Sequence, residues 1–576
     1  MSSPLTRSLL LVAAASHGIA QFVPPPTSLK EVTGHLDIPV RYKEVPTGIC
    51  ELDPDVKSYS GYVDVAEDQH IFFWFFEARN QDPEEADLTV WINGGPGSSS
   101  MIGLWEELGP CRYDPFGNVL SNEYSWSNVS NLLVIDQPTQ VGFSYSKPVD
   151  AWQSNDGHIV TVADGVCPDY APEGSCGTYS YPNITLTANS TANAAPNFYR
   201  TLQGFMGAFP QYSRNAFHFA TESYGGHYGP IFNKYIEEQN AKNISGAKEI
   251  QLQSVLIGNG WFDPLLQYQA YYNFTVFPGN TYDWFPFNES IESMFYNNVY
   301  GPGNCVDKLK DCYATQDNVI CNDADSFCAY MVESVYDDIL GRDEYDSREL
   351  TPDPFPYGFY LDYLNSPKLQ EAIGAYTNFS TSSNVVGQAF ENTGDDSREA
   401  GTVEAIRYLI SKNITVAIYA GDSDYNCNWL GGEAVVEEIA APGYADAGYT
   451  DLITSDNITH GQVKQAGKFS FTRIYESGHE VPFYQPLAAL ELFERVIKGY
   501  DVKTGKDIVQ AEYVTQGTPK STYHQGNSTF QWTVTPSNAT YDVNTNKPGA
   551  AWQPPQQAVL MKRSFKSRPV AGRRGR

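Results

Sequence analysis

The 576-residue chain is predicted to be an α/β protein, with a mixed, mostly parallel sheet covered by helices on both faces. Three observations predict this. Apolar runs of strand length recur along the sequence, and helix-like stretches separate several of them. The composition, 41% hydrophobic and 14% aromatic, supplies a substantial core. No run of about 18 or more apolar residues offers a membrane span instead.

The elements follow in order. Residues 61–65 and 71–78 flank a short polar turn and read as an antiparallel pair. Residues 71–76 are apolar throughout, which fits a strand buried on both faces. Further strands are expected at 88–93, 132–136, 216–221, 250–258, 414–420 and 469–476. Helices are expected at 191–209, 229–239, 433–439 and 487–498. From about 264 to 365 the rhythm breaks into a Tyr-, Phe-, Asn-, Gly- and Cys-rich stretch, read as an inserted disulfide-rich cap. One domain over 21–514 accommodates all of this. Residues 515–576 read as a peripheral extension whose basic end, from Lys562 to Arg576, is expected to be disordered.

The ends and the cysteines point to export. Residues 1–20 read as a signal peptide: Arg7 supplies the charge, 8–15 the apolar stretch and Gly18-Ile19-Ala20 the cleavage site. N-linked glycans are expected at eleven Asn-x-Ser/Thr sequons: Asn128, Asn183, Asn189, Asn243, Asn273, Asn288, Asn378, Asn413, Asn457, Asn527 and Asn538. Nine cysteines suit an oxidising compartment. Cys305, Cys312, Cys321 and Cys328 can make two nested bridges, Cys167 can close on Cys176 and Cys50 on Cys111, leaving Cys427 unpaired. Their spacing matches no usual zinc pattern, so no metal is expected, and no cofactor. A net charge of −31 argues against nucleic acid or an anionic membrane as partner. A secreted protein fits, although a vacuole-like destination begins with the same kind of signal.

The segment Phe217-His-Phe-Ala-Thr-Glu-Ser-Tyr-Gly-Gly-His-Tyr228 carries the first sign of chemistry. An apolar strand ends at Glu222-Ser223 and glycines follow, close to the Gly-x-Ser-x-Gly elbow that presents a nucleophilic serine. Thr221 stands where the first glycine belongs, and such a motif alone is more often a plain turn. Partners follow in the order Ser, Asp, His: Asp424 after the strand at 414–420, and His479 after the strand at 469–476. Both fall at strand C-terminal ends, where open α/β sheets place their sites. The Asn93-Gly-Gly-Pro-Gly-Ser98 turn exposes backbone N–H groups for a developing oxyanion, and it lacks the Lys-Ser/Thr ending of a phosphate loop.

With these motifs in view, the chain resembles the serine carboxypeptidases, more closely their secreted fungal members. The resemblance rests on seven ordered segments: 93–100, 107–110, 136–138 with 142–145, 222–228, 257–260 with 263–264, 421–431 and 478–486. It implies the α/β-hydrolase fold and a serine-type peptidase that removes C-terminal residues through an acyl-enzyme, favoured at acidic pH. It implies Ser223 as nucleophile, His479 as general base and Asp424 as the residue orienting His479. The backbone N–H groups of Gly95 and Tyr224 would form the oxyanion hole, worth about 100–1,000-fold in rate per donor. Asn93, Gly94, Glu107 and Glu222 would bind the free carboxylate of a peptide or protein substrate, with the two carboxyls sharing a proton.

Departures are expected to matter. Ser98 replaces a cysteine, so a disulfide tying the loop to the cap is expected to be missing. Thr221 crowds the elbow. Cys427 matches a family cysteine beside the site and implies sensitivity to bulky thiol reagents. Acyltransferases of the family share the triad, esterases need no carboxylate-binding set, and a non-catalytic binding protein would not need the triad.

Overall fold

The computed structural model describes residues 22–163, 165–276, 281–352, 355–525, 530–534, 541–542 and 547–548. The signal-like segment 1–20, the sequon at Asn527, that at Asn538 and the basic tail lie outside the described residues.

A twelve-stranded sheet forms the centre. In chain order its strands are β1 (Lys30–Thr33), β2 (Pro39–Glu44), β3 (Ser58–Ala66), β4 (Gln69–Phe76), β5 (Leu88–Ile92) and β6 (Asn131–Ile135). They continue as β7 (Phe217–Glu222), β8 (Leu252–Gly258), β9 (Thr415–Gly421), β10 (Thr450–Ile453), β11 (Thr459–Ala466) and β12 (Phe469–Ile474). Across the sheet the order is β1-β2-β3-β4-β6-β5-β7-β8-β9-β12-β11-β10. The block from β6 to β12 is parallel. Antiparallel strands extend it at both edges.

The covering helices include α1 (Thr191–Ala208), α2 (Gly225–Ala241), α3 (Pro264–Val276), α4 (Glu289–Tyr300), α5 (Cys305–Thr315), α6 (Asn318–Cys328), α7 (Thr402–Ser411), α8 (Trp429–Ile439) and α9 (Pro486–Ile497). Because side chains alternate along a strand, β4 feeds two cores. Phe73 and Phe75 pack on Phe205 of α1, in the core that also holds Phe232 of α2 and Val435 of α8. Phe72, Trp74 and Phe76 pack with Trp91, Trp126 and Phe493 of α9. Burying each such ring stabilises the fold by about 1.5–3 kcal/mol. That two-sided burial is why β4 reads as one continuous apolar run.

All eight strands expected from apolar runs are present, and four more lie at the edges. β11, Thr-His-Gly-Gln-Val-Lys-Gln-Ala, is too polar to be read as a strand, yet its last six residues are buried. Its polar groups are covered because they are bonded. Lys464 pairs with Glu437 at 2.7 Å, and Gln462 Oε1 accepts from Ser521 Oγ at 2.7 Å and from Thr522 N at 3.1 Å. Residues 515–525 thus run against the β11 edge. Farther on, Phe530 is buried beside Tyr282 and Trp284 of the cap.

The cap contains α3–α6 and is closed by nested disulfides Cys305–Cys328 and Cys312–Cys321. Cys50–Cys111 and Cys167–Cys176 also form, leaving Cys427 as a buried free thiol. Among the described residues no helix is long and apolar enough to cross a membrane.

Candidate active site

β7 ends at Glu222 and α2 begins at Gly225, so Ser223 occupies the turn between them. Its φ is +61°, a backbone region that non-glycine residues rarely adopt and that here must be held by the surroundings. The turn is held from both sides. Ser223 N donates to Gly258 O and Asn259 O, each at 3.1 Å, while Ser223 O accepts from Gly226 N at 2.9 Å and Trp261 N at 2.8 Å. Ser223 is partly exposed between buried neighbours, so the strained turn lifts its side chain out of the core.

Asp424 and His479 come from the loops after β9 and β12, adjacent parallel strands. His479 Nδ1 lies 2.7 Å from Asp424 Oδ2, with both side chains buried. Asn259, in the loop after β8, donates Nδ2–H to the same Asp424 oxygen at 2.7 Å, and Cys427 N donates to Oδ1 at 3.2 Å. Burial pulls the His479 imidazole down, but the Asp424 charge outweighs it and His479 is raised to about 9. Asp424, Cys427 and His479 bring ligand-type atoms within 4.8 Å of one another, and Asp424 Oδ2 is already engaged by His479 and Asn259.

The loop after β5 lies against the elbow. A Cβ on Gly94 would come 2.4 Å from Tyr224 N and 2.9 Å from Ser223 Cβ, so only glycine permits this approach. Among the described residues neither the Gly95 nor the Tyr224 amide is taken by an intramolecular acceptor. Asn93 Nδ2 donates to Glu222 Oε1 at 2.7 Å and lies 3.5 Å from Glu107 Oε1, while Asn93 Oδ1 accepts from Trp91 Nε1 and Gly103 N. Glu107 Oε2 is buried with no partner. Burial and then the Glu107 charge push Glu222 far above its usual range, and burial raises Glu107 to about 7. Beside the Ser223 turn and the hydrogen-bonded His479–Asp424 pair, the site therefore holds two carboxyls that favour a proton.

Comparison with known proteins places the chain in a family. The family described as serine carboxypeptidase matches residues 48–499. The chain belongs to the serine carboxypeptidase family. It is 39% identical over 572 residues to Carboxypeptidase S1 homolog A of Arthroderma otae, covering 91% of this chain and 86% of that protein. It is 36% identical over 460 residues to Carboxypeptidase S1 of Penicillium janthinellum, covering 78% of this chain and 97% of that one. A prohormone-processing carboxypeptidase structure from Saccharomyces cerevisiae superposes with a TM-score of 0.60 at 21% identity, covering 79% of this chain and 95% of that chain. That likeness shows the α/β-hydrolase fold.

As a serine carboxypeptidase the chain departs from the expected pattern at two positions, and the structure accommodates both. Ser98 forms no disulfide, but the loop is tied by backbone pairing instead: Ser98 bridges Ser382, Ser99 N donates to Thr381 O at 2.8 Å, and Ser383 N to Gly97 O at 3.0 Å. Thr221 fits the elbow because the facing residue is Gly225, whose added Cβ would lie 2.0 Å from Thr221 Oγ1. The Cys427 thiol is buried and pushed well above its usual range by burial and then by Asp424, which disfavours the reactive thiolate.

Three contributors were missed. Asn259, which braces Asp424, lies within the 257–260 segment, and a polar residue between two glycines after a strand is a usable signal. Asp136 anchors the glycine-rich loop, accepting from Ser99 Oγ at 2.6 Å and Ser100 N at 2.9 Å. Glu480 follows His479; burial, and among the neighbouring carboxyls Glu107 most strongly, raise it to about 8 despite the opposing pull of His479. Nothing in the sequence distinguished Glu480 from a solvated loop carboxylate.

Proposed function

We propose that this enzyme releases single C-terminal residues from peptides through an acyl-enzyme. Ser223 attacks the last peptide bond, His479 takes its proton and later delivers it to the leaving amine, and Asp424 holds His479 by its Nδ1–H. The Gly95 and Tyr224 amides receive the oxyanion. The substrate's terminal carboxylate rests on Asn93, the Gly94 backbone and the protonated Glu107–Glu222 pair. One observation carries the exopeptidase reading: two buried carboxyls, bridged by Asn93, lie at the base of the elbow where only a proton-donating pair can meet an anion.

The acidic preference belongs to substrate binding on this reading, because the pair loses its proton as pH rises. Export and N-glycosylation are proposed with it, supported by four disulfides and by exposed sequon asparagines at 189, 243, 288, 413 and 457. Asn378 is excluded: it is 6% exposed, with Oδ1 accepting from Thr178 N and Nδ2 donating to Asn365 Oδ1.

The test offers an N-blocked dipeptide with a free carboxylate and the same dipeptide amidated, in mildly acidic buffer, to the enzyme and to Ser223→Ala. Cleavage of the free acid alone, abolished in Ser223→Ala, is expected. Equal cleavage of both substrates would assign an esterase- or endopeptidase-like activity instead.

A further inference from the structure

We propose that Asp395 is a positioning residue for the oxyanion hole: it accepts a hydrogen bond from the Tyr224 hydroxyl and so fixes the peptide plane whose N–H meets the oxyanion. The proposal rests on the reading of the Tyr224 amide as an oxyanion donor.

A peptide unit is planar and trans, so the Tyr224 N–H points opposite to the Ser223 carbonyl. That carbonyl accepts from Gly226 N at 2.9 Å and from Trp261 N at 2.8 Å, which pins one end of the plane. The other end is the Tyr224 Cα, held through its side chain. The Tyr224 ring is buried, lies parallel to the His227 ring with centroids 4.6 Å apart, and meets Phe390 edge-on at 5.9 Å. Apolar contacts are non-directional, so they do not fix where the ring lies within its own plane. The hydroxyl supplies that restraint by donating to Asp395 Oδ2 at 2.7 Å. Burial, and then the Asp395 charge, hold the phenol far above its usual range, so it stays protonated and donates.

Asp395 is anchored from elsewhere. It is buried in the loop between a short helix, Asn384–Glu391, and α7. The same Oδ2 accepts from Thr191 N and Thr191 Oγ1, each at 2.7 Å, at the first residue of α1. Bonds to an ionised carboxylate are about twice as strong as neutral ones. The loop around it is tied as well: Thr393 Oγ1 donates to Asn189 O at 2.7 Å, and Arg398 Nη2 donates to Thr393 O at 2.7 Å. Trp261 joins the two supports. Its backbone N–H holds the Ser223 carbonyl, its indole Nε1 donates to Asp396 O at 3.1 Å, and its carbonyl lies 2.7 Å from His227 Nδ1. Residues 395 and 396 thus hold both ends of one peptide plane.

The turn needs such a hold. Ser223 lies at φ +61°, a strained conformation that persists only where its surroundings over-determine it. Without the Tyr224–Asp395 bond, β7 and α2 keep their places, but the peptide between Ser223 and Tyr224 gains room to rotate. A misaimed donor loses most against the full charge of the oxyanion and little against the ground-state carbonyl. The bond is therefore expected to act on rate and not on substrate binding.

Tyr224→Phe removes the hydroxyl alone and is the deciding variant. With a blocked amino-acid ester and a blocked dipeptide acid as substrates, kcat is expected to fall about tenfold while KM stays within about twofold. A peptide aldehyde reports on the oxyanion directly: Ser223 Oγ adds to its carbonyl carbon, the serine proton passes to His479, and the carbonyl oxygen becomes the oxyanion. Its affinity is expected to fall by the same factor as kcat/KM, whereas a dipeptide acid with CH2–CH2 in place of the reacting amide binds as before. Asp395→Ala is expected to match Tyr224→Phe, and the double variant to lose no more than either single one. An unchanged kcat in Tyr224→Phe, equal weakening of the aldehyde and the isostere, or an additive double variant would overturn the proposal and leave the bond a packing contact. Where Asp395→Ala fails to fold, Tyr224→Phe decides alone. Turnover of the ester without free-acid selectivity would remove the exopeptidase reading and leave this proposal standing. No turnover of either substrate by the unaltered enzyme would remove both.

Discussion

The hydroxyl of Thr221 donates to Ile92 O at 2.7 Å, joining β7 to β5 directly beneath the nucleophile turn. A buried hydrogen bond of this kind stabilises by about 1 kcal/mol, and the methyl group packs where a glycine would leave space. The departure from the motif is thus paired with Gly225, and the two residues form one fit. Glu107 makes the sharper prediction. It is raised to about 7 by burial, so in the proposed carboxylate-binding role it would donate a hydrogen bond to the substrate below that pH and, once ionised, would repel it above. KM for a free-acid peptide should therefore rise above about pH 7 with a limiting slope of about tenfold per unit, while Glu107→Gln, a donor at every pH, should flatten it. Steady-state kinetics across pH checks this, and parallel profiles would discount the anchor. The base pulls the other way. In its proposed role as base His479 must lose its proton to act, and with its value raised to about 9 kcat should increase with pH over the same range.

At the scale of elements, the segment after β12 and α9 ties parts that no local pattern connects. Arg473 of β12 donates to Ser521 Oγ at 2.8 Å, to Tyr523 O at 3.1 Å and to Thr281 Oγ1 of the cap at 2.9 Å. Tyr523 stacks on Tyr475 at 3.7 Å and donates to Glu476 Oε1 at 3.1 Å. Thr281 donates to Asp422 O, and Ser423 N donates to Ser477 O, so the strap reaches both loops that carry the catalytic pair. A chain ending at residue 514 is expected to lose several degrees in Tm and about tenfold in kcat, because misplaced loops weaken orientation. Calorimetry and kinetics on that truncation decide the matter; an unchanged kcat would make 515–525 packing only. The same contacts explain why β11 was illegible. Its burial depends on a strap 50 to 60 residues away, not on its own apolar content.

Across the molecule, among the described residues, buried acids outnumber the buried bases that could neutralise them. Burial raises Asp136 to about 6, Glu107 and Asp422 to about 7 and Glu480 to about 8, from ordinary values of 3.8 for Asp and 4.5 for Glu. The folded state thus binds more protons than the unfolded one between the ordinary and the raised values. Stability is complete below the ordinary values and is lost as pH rises through the raised ones. Exposed Asp456 is lowered to about 2 and acts in the opposite sense, only in strong acid. Repulsion from a net charge of −31 adds to the loss on the alkaline side. Tm is accordingly expected to fall as pH is raised from about 5 to about 8, and the paired change Glu107→Gln with Asp422→Asn should reduce that slope. A Tm that rises toward pH 8 would contradict it.

By itself the sequence determined the alternating elements, the central eight strands and the family, because two-sided burial and glycine-rich turns leave marks within a few residues. It brought Ser223, Asp424, His479, Asn93, Glu107 and Glu222 forward as candidates through motif order. Only the tertiary structure decided how they meet. Asn259 bracing Asp424, Gly225 making room for Thr221 and Ser98 replaced by backbone pairing are contacts between distant segments. No local pattern shows such contacts, because they depend on which distant segments the fold brings side by side.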